Sequence, residues 1–228
     1  SVLCLGLGLG LSACGGSSVD GTVTSMEEAV VAAPSVTVQD VSTLAGSTST
    51  ISGISSATSA DLTITTLPAS GTVRVLKRKQ ALFVSGDTGA VAALLNLSPS
   101  ALATVGSKWI SVPPSAAPYD AIVKSVSPVG LIQPFLAKVP TSTSLLATPS
   151  SPATTVLSGP WTADGTANGW SGLTSLRIDP ATSLPKSGLI ELHHGQSVAT
   201  RAAVFSSWSA PLSVQLPTVS VSYDNLSA

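Results

Sequence analysis

The sequence predicts an α+β fold, one long antiparallel sheet interrupted midway by helices that cover a single face. Three observations predict it. Val, Leu and Ile alternate with Ser and Thr over much of the chain, as in strands with one buried face. Helix-forming segments cluster between residues 90 and 139. Strand-like runs resume after a Ser/Thr/Pro stretch at residues 141–151, and such segregation of strands and helices, rather than strict alternation, favours an antiparallel sheet.

The elements follow in order. Residues 15–24 are small and polar and read as a flexible tether. Residues 26–33 carry Glu27 and Glu28 in a first turn and stop at Pro34, which predicts a short helix. Val36, Val38 and Val41 then alternate with polar residues, residues 45–60 are Ser/Thr/Gly-rich and weakly specified, and Leu62 and Ile64 alternate again. Residues 71–76 and 81–84 are two β-rich runs flanking Lys77-Arg78-Lys79, an antiparallel hairpin closed by Gly86-Asp87. The basic run reads as a solvated turn, or alternatively as a contact for anionic lipid headgroups.

Residues 90–95 are helical by propensity, and Ser98-Pro99 supplies an N-cap and first-turn pair for a second helix through Val105, ended by Gly106. Residues 108–112 read as a strand that Pro113-Pro114 terminates. Helices are predicted at residues 119–126 and 130–139, the latter with Leu131, Phe135 and Leu136 on one face. Residues 141–151 read as a linker dividing the chain into halves. Strands are then expected at residues 154–157, 173–179, 188–193, 198–205 and 212–223, with residues 159–172 a loop in which Trp161 and Trp170 find no assigned place.

The N-terminus carries an address. Leu11-Ser12-Ala13-Cys14 follows the apolar run of residues 2–10 and resembles a bacterial lipobox, in which the cysteine thiol receives a diacylglyceryl group and the signal is cleaved before it. A buried helix is the alternative, weakened by Gly6, Gly8 and Gly10. The chain begins at Ser1 without a basic segment, as a signal truncated upstream would. The apolar run falls short of the ~20 residues that span a bilayer, so the expectation is a lipid anchor on the extracytoplasmic face of the cell membrane. Loss of Cys4 with the signal and modification of Cys14 would leave no free thiol. The domain plan is therefore residues 1–13 signal, 14–24 tether and 25–228 one binding domain.

Composition excludes several classes. Charged residues are 9% and aromatics 4% of the chain, with a net charge of −1, which argues against a coiled coil and against a nucleic-acid partner. No nucleophile elbow is present: Gly169-Trp170-Ser171-Gly172 lacks the spacing. His193 and His194 are adjacent and would point to opposite faces of a strand, so they cannot chelate one metal together, whereas Glu191 and His193 share a face and could pair. Asp179 before Pro180 reads as the cap of a turn. Trp109 and Trp208 read as core or rim packing, or as lining for an acyl chain. No catalytic residues, metal or cofactor are assigned, and an enzyme is not expected.

Four segments carry a resemblance. Leu82-Phe83-Val84-Ser85-Gly86-Asp87, Gly106-Ser107-Lys108-Trp109-Ile110-Ser111-Val112-Pro113, the run from Leu176-Arg177-Ile178-Asp179-Pro180 to Leu184-Pro185, and Phe205-Ser206-Ser207-Trp208-Ser209-Ala210-Pro211 occur in the order in which similar segments occur in the actinobacterial LppX/LprAFG-type lipoproteins. The resemblance covers roughly residues 71–217, without a catalytic signature to carry over. It implies a half-barrel, a curved antiparallel sheet with helices on its concave face, similar to the lipoprotein carriers LolA and LolB. It also implies binding or transport of a lipid or acylated glycolipid in the cell envelope. The candidate lining is Leu82, Val84, Val91, Leu94, Leu95, Leu131, Phe135 and Leu136. A different class of function, an envelope scaffold with a filled core and a membrane-protein partner, would need no pocket.

Overall fold

The computed structural model describes residues 18–68, 71–136, 142–148, 151–162 and 169–227. Cys4, Cys14 and the first residues of the expected tether lie outside that set. The chain opens with helix α1 (Val19–Ala32), which takes in most of that tether. Ser18 caps it, accepting from the Gly21 amide at 3.1 Å, and Met26 and Val30 bury one face. Gly21, Thr22, Thr24 and Ser25 are poor helix formers, but Val19, Val23, Met26 and Val30 fall on one stripe that the core rewards.

Five strands follow: β1 (Val36–Leu44), β2 (Ser47–Ser55), β3 (Ser59–Leu67), β4 (Gly71–Arg78) and β5 (Ala81–Gly86). The weakly specified residues 45–60 are thus a turn, the whole of β2 and the start of β3. Helices α2 (Thr88–Leu95) and α3 (Pro99–Leu102), strand β6 (Trp109–Val112) and helices α4 (Tyr119–Ser125) and α5 (Pro128–Leu136) make up the middle of the chain. Helix α3 is a single capped turn rather than a helix through Val105. Helix α5 starts two residues before the expected 130 and holds Pro134 in its interior.

The expected linker is a hairpin. Strands β7 (Ser142–Thr148) and β8 (Ser151–Thr162) pair antiparallel, with Leu145 opposite Thr155 and Thr148 opposite Ser151. Ser and Thr that look like linker composition serve as well on a sheet, where their neighbours satisfy the backbone. Strands β9 (Ser171–Ile178), β10 (Pro185–His194) and β11 (Ser197–Ser206) continue the sheet. Of the strand expected at residues 212–223, only β12 (Ser220–Ser222) forms, and it runs parallel to β6.

All twelve strands belong to one sheet, in the order β12-β6-β5-β4-β3-β2-β1-β11-β10-β9-β8-β7. Its two ends do not meet, so the sheet is open. One core cluster nevertheless joins Val75, Val84 and Ile110 on one wing to Leu157, Leu176 and Ile190 on the other. A sheet this wide shares a single core only by curling around its helices. Helix α2 packs on β4 and β5, α5 packs on β9 and β10, and α1 contacts α5 between them. Val36 and Val38, Leu62, Val73 and Val75, and Ala203 and Phe205 alternate inward along their strands with exposure below 5%. This is the half-barrel with a helix-covered concave face that the resemblance implies.

Candidate functional site

The concave face continues past the helices. Along β11 the inward residues run from Phe205 and Ala203, both in the core, to Arg201 and Ala199; along β10 they run from Gly188 to Ile190 and Leu192. Phe135 of α5 closes the core over Gly188, where an added Cβ would lie 2.5 Å from the ring. Beyond that plug lies a groove of about 610 Å³ bordered by Ser42, Thr43 and Leu44 of β1, Pro134 of α5, Trp161 of β8, Trp170 ahead of β9, Ile190 and Leu192 of β10, and Ala199, Thr200 and Arg201 of β11.

The groove is an apolar trough with one polar corner. Two indole rings, Leu44, Ile190, Leu192, Ala199 and Pro134 supply the apolar surface. Trp170 is braced from behind by His194, with ring centroids 5.6 Å apart. In the polar corner, Arg201 donates from Nε at 2.9 Å and from Nη2 at 2.5 Å to Oδ2 of Asp40, and its guanidinium carbon lies 5.5 Å from the centre of the Phe135 ring. Asp40 is 3% exposed. Opposite Arg201 on β1 stands Ser42.

Two other hollows approach this size, about 500 Å³ and 600 Å³, but both sit on the outer face of the sheet. The first mixes Leu173 and Leu189 with Glu191 and His193. The second contains the Asp61–Arg74 ion pair, with Pro211, Leu212 and Ser213 laid beside β2, β3 and β4. Of these three hollows among the described residues, the concave groove has the most apolar wall.

The residues expected to line a pocket sit elsewhere. Leu82, Val84, Val91, Leu95, Leu131 and Phe135 are at most 3% exposed and belong to the close-packed core, while Leu94 and Leu136 are partly buried against it. None of the eight borders the groove. Val91 and Leu136 each border a hollow of about 10 Å³, room for no more than a water molecule. The aromatic residues of the groove were instead the two without an assigned place. Leu157, Gly159 and Trp161 alternate on β8, and Leu157 is in the core, so a period of two carries Trp161 onto the same face.

The remaining candidates resolve individually. His193 Nε2 lies 3.0 Å from Glu191 Oε1, while His194 turns to Trp170, as opposite faces of β10 require. No group of three or more potential metal ligands occurs among the described residues. Asp179 accepts from the Ala181 amide at 2.9 Å, capping its turn, and pairs with Lys186 at 3.0 Å. The Lys186 hydrogen bond, then that amide, hold its carboxyl below the ordinary value. The basic run is not one solvated turn: Lys77 is 5% exposed on β4 and donates to the Ala57 carbonyl at 2.9 Å, and burial pushes its pKa down. The turn itself is Lys79-Gln80. Trp208 donates to the Pro185 carbonyl at 2.8 Å and stacks near Phe205, whereas Trp109 lies beneath Arg74 on the outer face.

Fold and groove together define an open half-barrel with an apolar trough on its concave side. No family model and no curated protein matches the sequence. Solved structures do match. Lipoprotein LppX of Mycobacterium tuberculosis is 12% identical with a TM-score of 0.47, over 86% of this chain and 98% of LppX. MucB, in its complex with MucA(peri), is 16% identical with a TM-score of 0.37, over 92% of this chain and 60% of MucB. The hypothetical protein CT021 from Chlamydia trachomatis is 9% identical with a TM-score of 0.34, over 85% of this chain and 98% of that one. Among the described residues no helix is long and apolar enough to cross a membrane.

Proposed function

We propose that this protein is an extracytoplasmic binding protein of the bacterial cell envelope, anchored through lipid on Cys14, that holds an acyl chain of a lipid or acylated glycolipid and catalyses no reaction. The observation that carries the reading is the groove of about 610 Å³ floored by Ile190, Leu192 and Ala199 and flanked by Trp161 and Trp170. A methylene fills about the liquid volume of a water molecule, about 30 Å³, so the groove has room for on the order of twenty such groups, the scale of an acyl chain. Native mass spectrometry of the chain after Cys14, produced in a bacterial envelope, tests it. The expected result is a co-purified mass in the lipid range, displaced by added monoacylglycerol; a clean apo mass that added lipid does not change would overturn it.

A second reading, an envelope scaffold with a protein partner, is favoured by the outer face of the sheet. There Leu189, Ala202 and Val41 stand in one row across β10, β11 and β1, with Leu189 44% and Val41 45% exposed. It predicts an apo protein that crosslinks through this row.

A further inference from the structure

We infer that the groove selects acyl compounds whose polar end is an uncharged hydrogen-bond acceptor, an ester or amide carbonyl, and discriminates against free fatty acids; the inference rests on the groove being an acyl-chain site. Arg201 is the only charged residue among the described lining. Two of its guanidinium nitrogens are committed to Asp40 Oδ2, and the Phe135 ring lies against the group, so its position is fixed from two sides. The third nitrogen, Nη1, has no hydrogen-bond partner among the described residues. The Arg201 side chain is 27% exposed, so a donor remains available at the inner end of the trough, where the apolar wall begins.

Charge decides which acceptor that donor takes. Asp40 already matches the one positive charge, and its second oxygen, Oδ1, is buried without a hydrogen-bond partner among the described residues. A ligand carboxylate at Nη1 would place a second anion beside Asp40 with no further cation among the described lining residues, and beside an apolar wall that repulsion is less screened than in open water. A carbonyl oxygen accepts the same hydrogen bond and adds no charge. The ordering of the lining fits a chain attached to it: Arg201 and Ser42 face each other at the inner end, and Ala199, Leu192, Leu44 and Trp170 lie further along.

The test titrates the chain with mono-oleoyl glycerol and with oleate below their aggregation concentrations, following tryptophan fluorescence at a pH well above the ordinary carboxyl range. The ester is expected to bind at least about tenfold more tightly than oleate. Asp40→Asn leaves Arg201 unmatched and is expected to shift the ester-to-oleate ratio toward oleate by about tenfold or more. Oleate binding as tightly as the ester to the native chain, or a ratio unmoved in a folded Asp40→Asn, would overturn the inference. Should that variant not fold, acidification serves instead: protonating the ligand carboxyl is expected to bring oleic acid up toward the ester's affinity, and a constant ratio would count against the inference. Uptake of neither compound by the native chain overturns the acyl-chain reading itself.

Discussion

Single residues set both the size of the groove and its limits. Gly188 is the position where β10 passes beneath the Phe135 ring, and a methyl group there would lie 2.5–2.7 Å from three ring carbons. The ring is 1% exposed and wedged edge-on against Phe205 with centroids 6.1 Å apart, so it has nowhere to retreat. Gly188→Ala is expected to destabilise the protein by about 1–3 kcal/mol, read as a lowered urea midpoint. Asp179 makes the opposite kind of contribution. Its folded pKa lies below the ordinary one, so its stabilisation is present above the ordinary carboxylate value and is lost as pH falls through the folded value. Asp179→Asn keeps an oxygen for the Ala181 amide but not the ion pair, whose carboxylate side chain is 28% exposed. The variant is expected to be less stable by under about 1 kcal/mol at neutral pH and to converge with the native protein in acid, as paired urea titrations would show. The Asp179 turn and the Glu191–His193 pair were legible in the sequence because both depend on neighbours two or three positions apart. The Asp40–Arg201 pair was not, since it joins residues that meet only when β1 and β11 pair.

At the scale of elements, the hairpin β4–β5, helix α2 and strands β6, β9, β10 and β11 were legible because local period and punctuation agree with tertiary burial there. Where they disagree, burial wins. Helix α1 has its capping serine and its apolar stripe, yet glycine and hydroxyl residues between them read as tether. Met26, 1% exposed in the core and also bordering a small hollow with Val129, Ile132 and Leu136, marks where the helix is held. Met26→Ala is expected to cost about 2–5 kcal/mol and to release α1, visible as faster amide exchange over residues 19–32. Strand β7 and the two ends of β8, whose middle was expected as a strand at residues 154–157, were hidden for a related reason. Serine, threonine and proline there carry a linker's composition, and the ladder to β9 that makes β8 a strand is formed by residues beyond the hairpin. The aromatic wall of the groove went unassigned with it, because Trp161 acquires an inward face only once β8 does.

For the whole molecule, the expected curved sheet and helix-covered core are present, and the order of the strands explains what sequence reading left out. From β1 to β5 and again from β7 to β11 each strand lies beside its neighbour in the chain, so most pairings are hairpins. The two halves are joined by the seam between β1 and β11, where Val38 meets Phe205 and Val41 meets Ala202. Nothing in either segment advertises the other. The same seam carries Ser42 and Arg201, so the groove's polar corner does not exist in either half alone. That arrangement also dictates a timetable. Strand β1 emerges early in synthesis, pairs with β2 at once, and keeps its other edge vacant until more than 150 residues later β11 arrives to cover it. Closing so long a loop is the slow event of such folds. The nascent chain therefore carries an exposed strand edge while the residues between β2 and β11 are made, and the groove comes into being only when β11 docks.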